Sequence, residues 1–166
     1  MIVLLITMAI LFNTIIQATL IPYIGVFGVV PNTAIALIVL ISLKKGRVCG
    51  SMFGLLAGLL QDVLFSVTIG VNGFILFFIG YFTGFAHNTL TRENAINPFI
   101  FAGLGTIFYN FMYSLIQFFL SRDIIFVEAV RKTFSMEIVY NGLIAVILFM
   151  ILQRIFIQPN LRFGRR

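Results

Sequence analysis

Apolar runs close to twenty residues long recur along the whole chain and leave no room for a separate soluble domain. A helix of about that length can cross a hydrocarbon core roughly 30 Å thick. The chain has 166 residues, of which 61% are hydrophobic and 10% are charged. Soluble domains average roughly 45–50% apolar and 25% charged residues. The sequence therefore predicts an all-α integral membrane protein.

Six transmembrane helices are predicted within a single domain that covers residues 1–166. Their approximate limits are 2–21, 29–43, 48–65, 71–87, 98–120 and 138–157. Between the last two helices, residues 121–137 mix charged with apolar side chains. This mixture is typical of an amphipathic helix that lies on the membrane surface.

Basic residues are distributed unevenly between the two sides of the predicted bundle. With the N-terminus in the cytoplasm, only Arg122, Arg131 and Lys132 of the 11 Lys and Arg residues face outwards. Because cytoplasmic loops are enriched in Lys and Arg, both chain ends are predicted to be cytoplasmic. The basic residues of the cytoplasmic loops are Lys44, Lys45, Arg47 and Arg92. The net charge is +6, but without a basic stripe interleaved with aromatic residues it does not indicate nucleic acid as a partner.

Small residues at helical spacing mark one face of the third predicted helix and one face of the fourth. They let another helix backbone come close, which favours packing where no hydrophobic force drives helices together. The two faces can serve packing within the chain or the docking of a partner helix. The residues concerned are Gly50, Gly54, Gly58, Gln61 and Asp62 on the third helix and Gly73, Gly80 and Gly84 on the fourth.

Asp62 is the only acidic residue deep inside an apolar segment. Its place towards the outer end of the third helix allows two interpretations. It can hydrogen-bond the turn at residues 66–72, or it can bind the helix or backbone of a partner. A role in proton or ion coupling has less support, because such carriers usually bury more than one charge.

Polar side chains follow one stripe of the fifth predicted helix. An unsatisfied polar group in hydrocarbon costs several kcal/mol, so the stripe is expected to face the bundle interior, a partner or a cavity. The stripe consists of Thr106, Asn110, Tyr113, Ser114 and Gln117.

Residue types that carry catalysis or hold metals are scarce in this chain. It has one His, one Cys and five acidic residues. No nucleophile elbow, phosphate-binding loop or His-rich metal pattern is present. The sequence therefore predicts no catalytic residue, no metal site and no cofactor.

Several short motifs follow one another in a characteristic order. They are Val30-Pro31-Asn32, Lys45-Gly46, Gly54-Leu55-Leu56-Ala57-Gly58-Leu59-Leu60-Gln61-Asp62, Gly70-Val71-Asn72, Gly80-Tyr81-Phe82-Thr83-Gly84 and Arg92-Glu93-Asn94. Together they resemble the MreD family, the small multi-spanning subunit of the bacterial rod-shape (elongation) machinery. The chain departs from the usual family pattern in the turn after Asp62, where Phe65–Gly70 replaces a run richer in Gly and Pro.

The resemblance implies a non-enzymatic scaffold in the bacterial cytoplasmic membrane. Such a scaffold would bind the single-pass protein MreC and link cytoplasmic MreB filaments to peptidoglycan synthesis by RodA and its transpeptidase, and so maintain cell shape. The family is also similar to the six-helix S components of ECF vitamin transporters. That similarity implies the same bundle fold and leaves a substrate-binding transporter subunit as the alternative function. Membrane lipid and a second copy of the chain stay open as partners.

Overall fold

The computed structural model describes residues 2–19, 23, 30–66, 68–87, 94–120 and 136–155. These residues form an all-α fold with six α-helices, and a short 3₁₀ turn at Phe85–His87 continues the fourth. The helices are α1 (Ile2–Thr19), α2 (Thr33–Lys45), α3 (Arg47–Phe65), α4 (Val71–Gly84), α5 (Ile96–Phe119) and α6 (Glu137–Ile155).

The short helix α2 lies at the centre of the bundle, in contact with all five other helices. Every residue from Thr33 to Ser42 is buried. Its 13 residues span only about 20 Å, less than a hydrocarbon core of roughly 30 Å. Because its neighbours surround α2, this helix does not have to match the thickness of a bilayer on its own.

Helices α3 and α4 form a closely packed antiparallel hairpin. The turn between them ends at Gly70, whose φ of 102° lies in the left-handed region that glycine adopts without strain. Gly70 is also the residue that precedes α4, and it has no side chain with which to cap that helix. The first N–H groups of α4 therefore need a partner from elsewhere in the chain.

Two of the described helices, α3 and α5, are long and apolar enough to cross a membrane. Shorter apolar stretches lie at Val3–Thr19, Val71–His87 and Glu137–Ile151. Large apolar side chains are exposed on the outside of the bundle, for example Met52 at 66% and Val63 at 69% on α3. This surface is compatible with a helical bundle that is surrounded by lipid.

The second helix begins later than the sequence predicts, at Thr33 instead of 29, and continues to Lys45 instead of ending at 43. The late start has a local cause. Asn32 has an extended backbone, and its side chain accepts a hydrogen bond from the Ala34 N–H at 3.2 Å. An N-cap of this kind fixes the first residue of a helix.

The other described limits differ from the prediction by small amounts. Helix α5 begins at Ile96, so Asn97 is inside the helix and does not cap it. The Asn94 side chain instead accepts from the Ile96 N–H at 3.1 Å. Pro98 fits within the first turn, where an N–H has no partner inside the helix. Residues 85–87 form a 3₁₀ turn, and Glu137 belongs to the first turn of α6.

Some predictions fall on residues that lie outside the described ranges. These are Arg92, residues 121–135 of the predicted surface helix, residue 29 of the second predicted helix, and the predicted helix ends at 20–21 and 156–157.

Candidate functional site

The glycine faces of α3 and α4 pack directly against each other. A Cβ atom added at Gly54 would lie 2.2 Å from the Leu76 carbonyl oxygen of α4, and one added at Gly80 would lie 2.2 Å from the Gly50 carbonyl oxygen of α3. A Cβ at Gly58 would lie 2.4 Å from the Asn72 carbonyl oxygen. Each of these contacts is with backbone, so there is no space for a side chain, or for a third helix, between α3 and α4.

The same contact extends to the ends of the hairpin. A Cβ at Gly84 would lie 2.2 Å from the Cα atom of Arg47. At Gly73 the nearest atoms belong to the flexible Leu59 side chain, at 3.1 Å, so this position is less restricted. The glycines that the sequence singles out therefore lie within the α3–α4 contact.

Asp62 supplies the missing cap of α4. Its carboxylate accepts backbone N–H bonds from Gly70 at 2.9 Å, Asn72 at 3.2 Å and Gly73 at 3.0 Å. The side chain is 0% exposed. A carboxylate is well placed at a helix N-terminus, where unpaired N–H groups and the helix dipole both favour negative charge. Of the two interpretations from sequence, the geometry shows the bond to the turn.

A group of buried and half-buried polar side chains surrounds the N-terminus of α2, and we call it the polar layer. It lies at the end of α2 opposite to Lys44 and Lys45, at the level of Asp62, which is about 22 Å along α3 from Arg47. Its members are Gln17, Asn32, Thr33, Gln61, Asp62, Asn72, Thr106, Tyr109, Asn110, Glu137 and Asn141. Together these residues come from all six helices and from the residue before α2.

Asn32 is the centre of the polar layer. Its N–H donates to Asn141 Oδ1 on α6 at 2.8 Å, and its own Oδ1 accepts from Gln61 Nε2 on α3 at 3.2 Å. Gln17 on α1 accepts from the Thr33 N–H at 3.0 Å and donates to the Pro31 carbonyl oxygen at 3.0 Å. The non-helical residues before α2 are thus held by side chains from three other helices.

The predicted polar stripe of α5 contributes two residues to this layer. Asn141 Nδ2 donates to the Thr106 hydroxyl at 2.9 Å, and Asn110 Nδ2 donates to Glu137 Oε2 at 3.0 Å. Neighbouring Tyr109 donates its hydroxyl hydrogen bond to Asn72 Oδ1. All of these contacts join α5 to α4 or α6, so this part of the stripe faces the bundle interior.

The remaining three stripe residues make no such contacts within the described part of the chain. Tyr113 and Ser114 are half-buried. Gln117 is buried, and its Oε1 has no hydrogen-bond partner there. The structure therefore joins the first half of the stripe to the polar layer by hydrogen bonds, while Tyr113 contacts the layer only through its ring, which stacks on that of Tyr109 at 5.9 Å.

The opposite end of the bundle is basic. Lys45 and Arg47 are exposed on the turn between α2 and α3, while Lys44 is half-buried. The Arg47 guanidinium lies over the Phe85 ring at 5.3 Å, and His87 Nδ1 donates to the Leu43 carbonyl oxygen at 2.7 Å. These contacts join the turn to the end of α4.

Sequence reasoning missed much of the polar layer, including Asn32, Tyr109, Glu137 and Asn141 as interacting residues. One signal could have found most of them. Each is a polar residue in or beside an apolar segment, and the predicted topology places them all near the same side of the membrane as Asp62. Polar groups at one depth are expected to pair because hydrocarbon offers them no other partner.

The described residues contain no candidate metal site. No group of three or more His, Cys, Asp or Glu side chains that could bind a metal ion occurs among them. The hydrogen bonds of the polar layer connect helices to one another. A groove of about 340 Å³ between α4 and α5 is lined almost entirely by apolar side chains, including Ile79, Phe82 and Phe108.

Taken together, the fold and the polar layer define an all-α helical bundle with buried polar contacts between its helices, and its two long apolar helices make it compatible with a membrane protein. A family model for rod shape-determining protein MreD matches residues 1–156. The chain belongs to the MreD family. Comparison with curated proteins and with solved structures gave no match in either case. The family assigns the chain a structural role in rod shape determination.

Proposed function

We propose that this chain is a non-enzymatic scaffold of the bacterial rod-shape complex, with six spans in the cytoplasmic membrane and both ends in the cytoplasm. It binds MreC and links MreB filaments to peptidoglycan synthesis by RodA and its transpeptidase. The observation that carries this proposal is the family match over residues 1–156. The structure supports it in two ways, through its interior and through its basic end.

The interior of the bundle supports a scaffold better than a transporter subunit. A vitamin-binding site would need free polar groups that converge on a cavity. In the polar layer, Asn32, Asn110 and Asn141 instead bond to neighbouring helices. The groove between α4 and α5 has only the Thr83 hydroxyl as a polar side-chain group, and that hydroxyl bonds to the Ile79 carbonyl oxygen at 2.7 Å.

Partner binding is therefore assigned to the outside of the bundle. The glycine faces of α3 and α4 are occupied by each other, so a MreC helix would pack on other surfaces. A bulky substitution at Gly54 would separate α3 from α4 before it affected any partner. Loss of MreC binding after such a substitution would therefore indicate a damaged fold.

The basic turn is proposed to act on the cytoplasmic side. Lys45 and Arg47 are exposed there, and they can contact acidic side chains of MreB or anionic lipid. Exposed charges of this kind attract partners over a range of about 8–10 Å at physiological salt.

Co-purification tests the proposal directly. A tagged copy of the chain is expressed with MreC and MreB, extracted in mild detergent and captured. MreC is expected in the captured fraction, and an equally tagged, unrelated six-helix membrane protein serves as the negative control. Failure to capture MreC under conditions in which both proteins stay monodisperse would refute the scaffold role.

A charge variant separates the two partners. The double change Lys45→Gln and Arg47→Gln should lower MreB recovery several-fold while MreC recovery is unchanged. The matched variant Arg92→Gln removes a charge from the other basic loop on the same predicted side. If MreB recovery stays the same in the double variant, the basic turn is not its contact.

A further inference from the structure

The groove between α4 and α5 lies near the end of α4 that packs beside the basic turn. Its volume is about 340 Å³, and Phe82 of α4 and Phe101, Leu104 and Phe108 of α5 are among the residues that line it. The Thr83 hydroxyl in its lining already bonds within α4. The groove therefore suits an apolar ligand.

The size of the groove favours a lipid chain over a partner helix. An α-helix with its side chains is about 10–12 Å across and rises about 5.4 Å per turn, so one turn fills at least about 400 Å³. The whole groove is smaller than one such turn. A single hydrocarbon chain is much thinner than a helix. It can enter from the outside of the bundle, where Phe82 and Leu104 are exposed at 52% and 56%.

A guanidinium group is held about one turn of α4 beyond the groove. Arg47 lies over the Phe85 ring at 5.3 Å, and Phe85 follows Phe82 by three residues, which is about 4.5 Å along the helix. Gly84 allows this approach, because a Cβ atom there would lie 2.2 Å from the Arg47 Cα atom. The stacking on Phe85 thus fixes the positive charge beside the mouth of the groove.

The Arg47 guanidinium is available to a ligand. Its N–H groups have no hydrogen-bond or ion-pair partner in the part of the chain that the structure describes, and the residue is exposed. The described carboxylates, Asp62 and Glu137, belong to the polar layer at the other end of the bundle. A guanidinium can donate two parallel hydrogen bonds to one phosphate group.

We propose that the groove binds one acyl chain of an anionic phospholipid, whose phosphate group is bound by Arg47. The apolar groove and the guanidinium follow one another in the order that a phospholipid requires. Anionic headgroups are complementary in charge to the basic turn, and basic pockets between membrane helices bind such headgroups on the cytoplasmic side. The inference rests on the membrane placement given under the proposed function, but not on binding of MreC or MreB.

Tryptophan fluorescence in vesicles that contain only the purified full-length chain tests this site. The chain contains no Trp, so a single introduced Trp reports the lipid beside it when brominated acyl chains quench its emission. Leu104→Trp places the reporter at the rim of the groove. Met52→Trp is the matched control: Met52 is 66% exposed, and neighbouring Gly50 packs on Gly80, so its depth is similar. Met52 points away from α4, because it lies about 200° around α3 from Gly50.

The two reporters should differ in their preference for anionic lipid. At equal mole fractions, brominated phosphatidylglycerol is expected to quench Leu104→Trp more than brominated phosphatidylcholine does. The expected ratio of the two binding constants is about five, the factor that one Lys or Arg contributes at an anionic membrane surface. Met52→Trp should give a ratio close to one, since it is surrounded by bulk lipid.

The role of Arg47 is tested in the Leu104→Trp background. Arg47→Gln should remove most of the preference for phosphatidylglycerol. Lys45→Gln removes the same charge from the same turn and should keep the preference, because the described contact with Phe85 belongs to Arg47. Arg47→Lys should retain only part of it, since an ammonium group cannot donate the paired hydrogen bonds of a guanidinium.

Three results would overturn the proposal. The first is an equal ratio at Leu104→Trp and Met52→Trp. The second is a preference that Arg47→Gln leaves unchanged or that Lys45→Gln lowers as much. The third is loss of quenching by both lipids at Leu104→Trp when MreC is reconstituted with the chain, which would assign the groove to that protein. Because the other vesicles contain no partner protein, their outcome does not depend on the scaffold function.

Discussion

Replacing Asp62 by alanine should destabilise the bundle more than any comparable change elsewhere on α3. The carboxylate accepts three backbone N–H groups at the start of α4. Alanine cannot replace these bonds. The site is closed to solvent, because Asp62 is 0% exposed and Asn72 and Gly73 are buried. The N–H groups of Asn72 and Gly73 would therefore have neither a side-chain nor a water partner.

The expected magnitude follows from the burial of each N–H group. Those of Asn72 and Gly73 are buried, while that of Gly70 is half-buried and can turn towards the surface. A buried donor that loses its partner costs about 1–3 kcal/mol. Two such donors should lower the free energy of unfolding by roughly 2–6 kcal/mol in Asp62→Ala. Asp62→Asn keeps one acceptor oxygen, so about half of that loss is expected.

Stability can be measured by SDS titration of the purified protein in mixed micelles, with helicity followed by circular dichroism. Cys49 allows a second measurement. It is a free, partly buried thiol on α3, so a dye that becomes fluorescent on reaction with thiols reports the temperature at which this helix becomes accessible. Both midpoints should fall in the order wild type, Asp62→Asn, Asp62→Ala.

Ser51→Ala is the matched control for this series. Ser51 is buried on the same helix, but its hydroxyl donates only to the Val48 carbonyl oxygen of its own helix. Its loss should cost at most about 1 kcal/mol. If Asp62→Ala unfolds at the same SDS fraction as Ser51→Ala, the carboxylate does not hold the hairpin and the reasoning fails.

Three further changes test other parts of the fold by the same assays. Gly58→Ala places a Cβ 2.4 Å from a backbone oxygen of α4 and should lower the free energy of unfolding by about 1–3 kcal/mol. Gly103→Ala is the control, because its Cβ meets only an α6 side chain at 3.3 Å, and its loss of stability should be clearly smaller. Equal losses in the two variants would contradict the close packing of α3 and α4. Asn141→Leu removes the acceptor for the N–H that precedes α2 and should cost about 1–3 kcal/mol. Tyr109→Phe removes one hydrogen bond to α4 and should lower the free energy of unfolding by about 0.5–1.5 kcal/mol. If the unfolding midpoint does not change in one of these two variants, the contact removed by that variant does not stabilise the bundle.

The sequence is informative where structure depends on neighbouring residues. The glycine spacing on α3 and α4 and the polar stripe on α5 are local patterns, and each marks residues that the structure places in the interior. The α3–α4 turn is also local, since Asp62 and Gly70 are eight residues apart. Such a bond can be anticipated from helix capping alone.

The centre of the bundle could not be predicted in this way. The bond between Asn32 and Asn141 joins residues 109 positions apart, and no periodicity in either segment indicates that they meet. Helix α2 has apolar residues on all sides, as a lipid-facing helix would. Only the arrangement of the other five helices shows that it is enclosed.

The polar layer explains how so short a helix can occupy the centre of the bundle. In the proposed placement, residues 30–32 are non-helical at a depth where lipid cannot satisfy their backbone groups. Side chains from α1 and α6 satisfy them instead, through Gln17 and Asn141. Apolar packing alone gives little orientation between helices in lipid, because lipid tails are as apolar as leucine. The hydrogen bonds therefore set the positions of the helices, and in doing so they use the polar groups that a ligand site would need. The proposed scaffold would accordingly act through its outer surfaces.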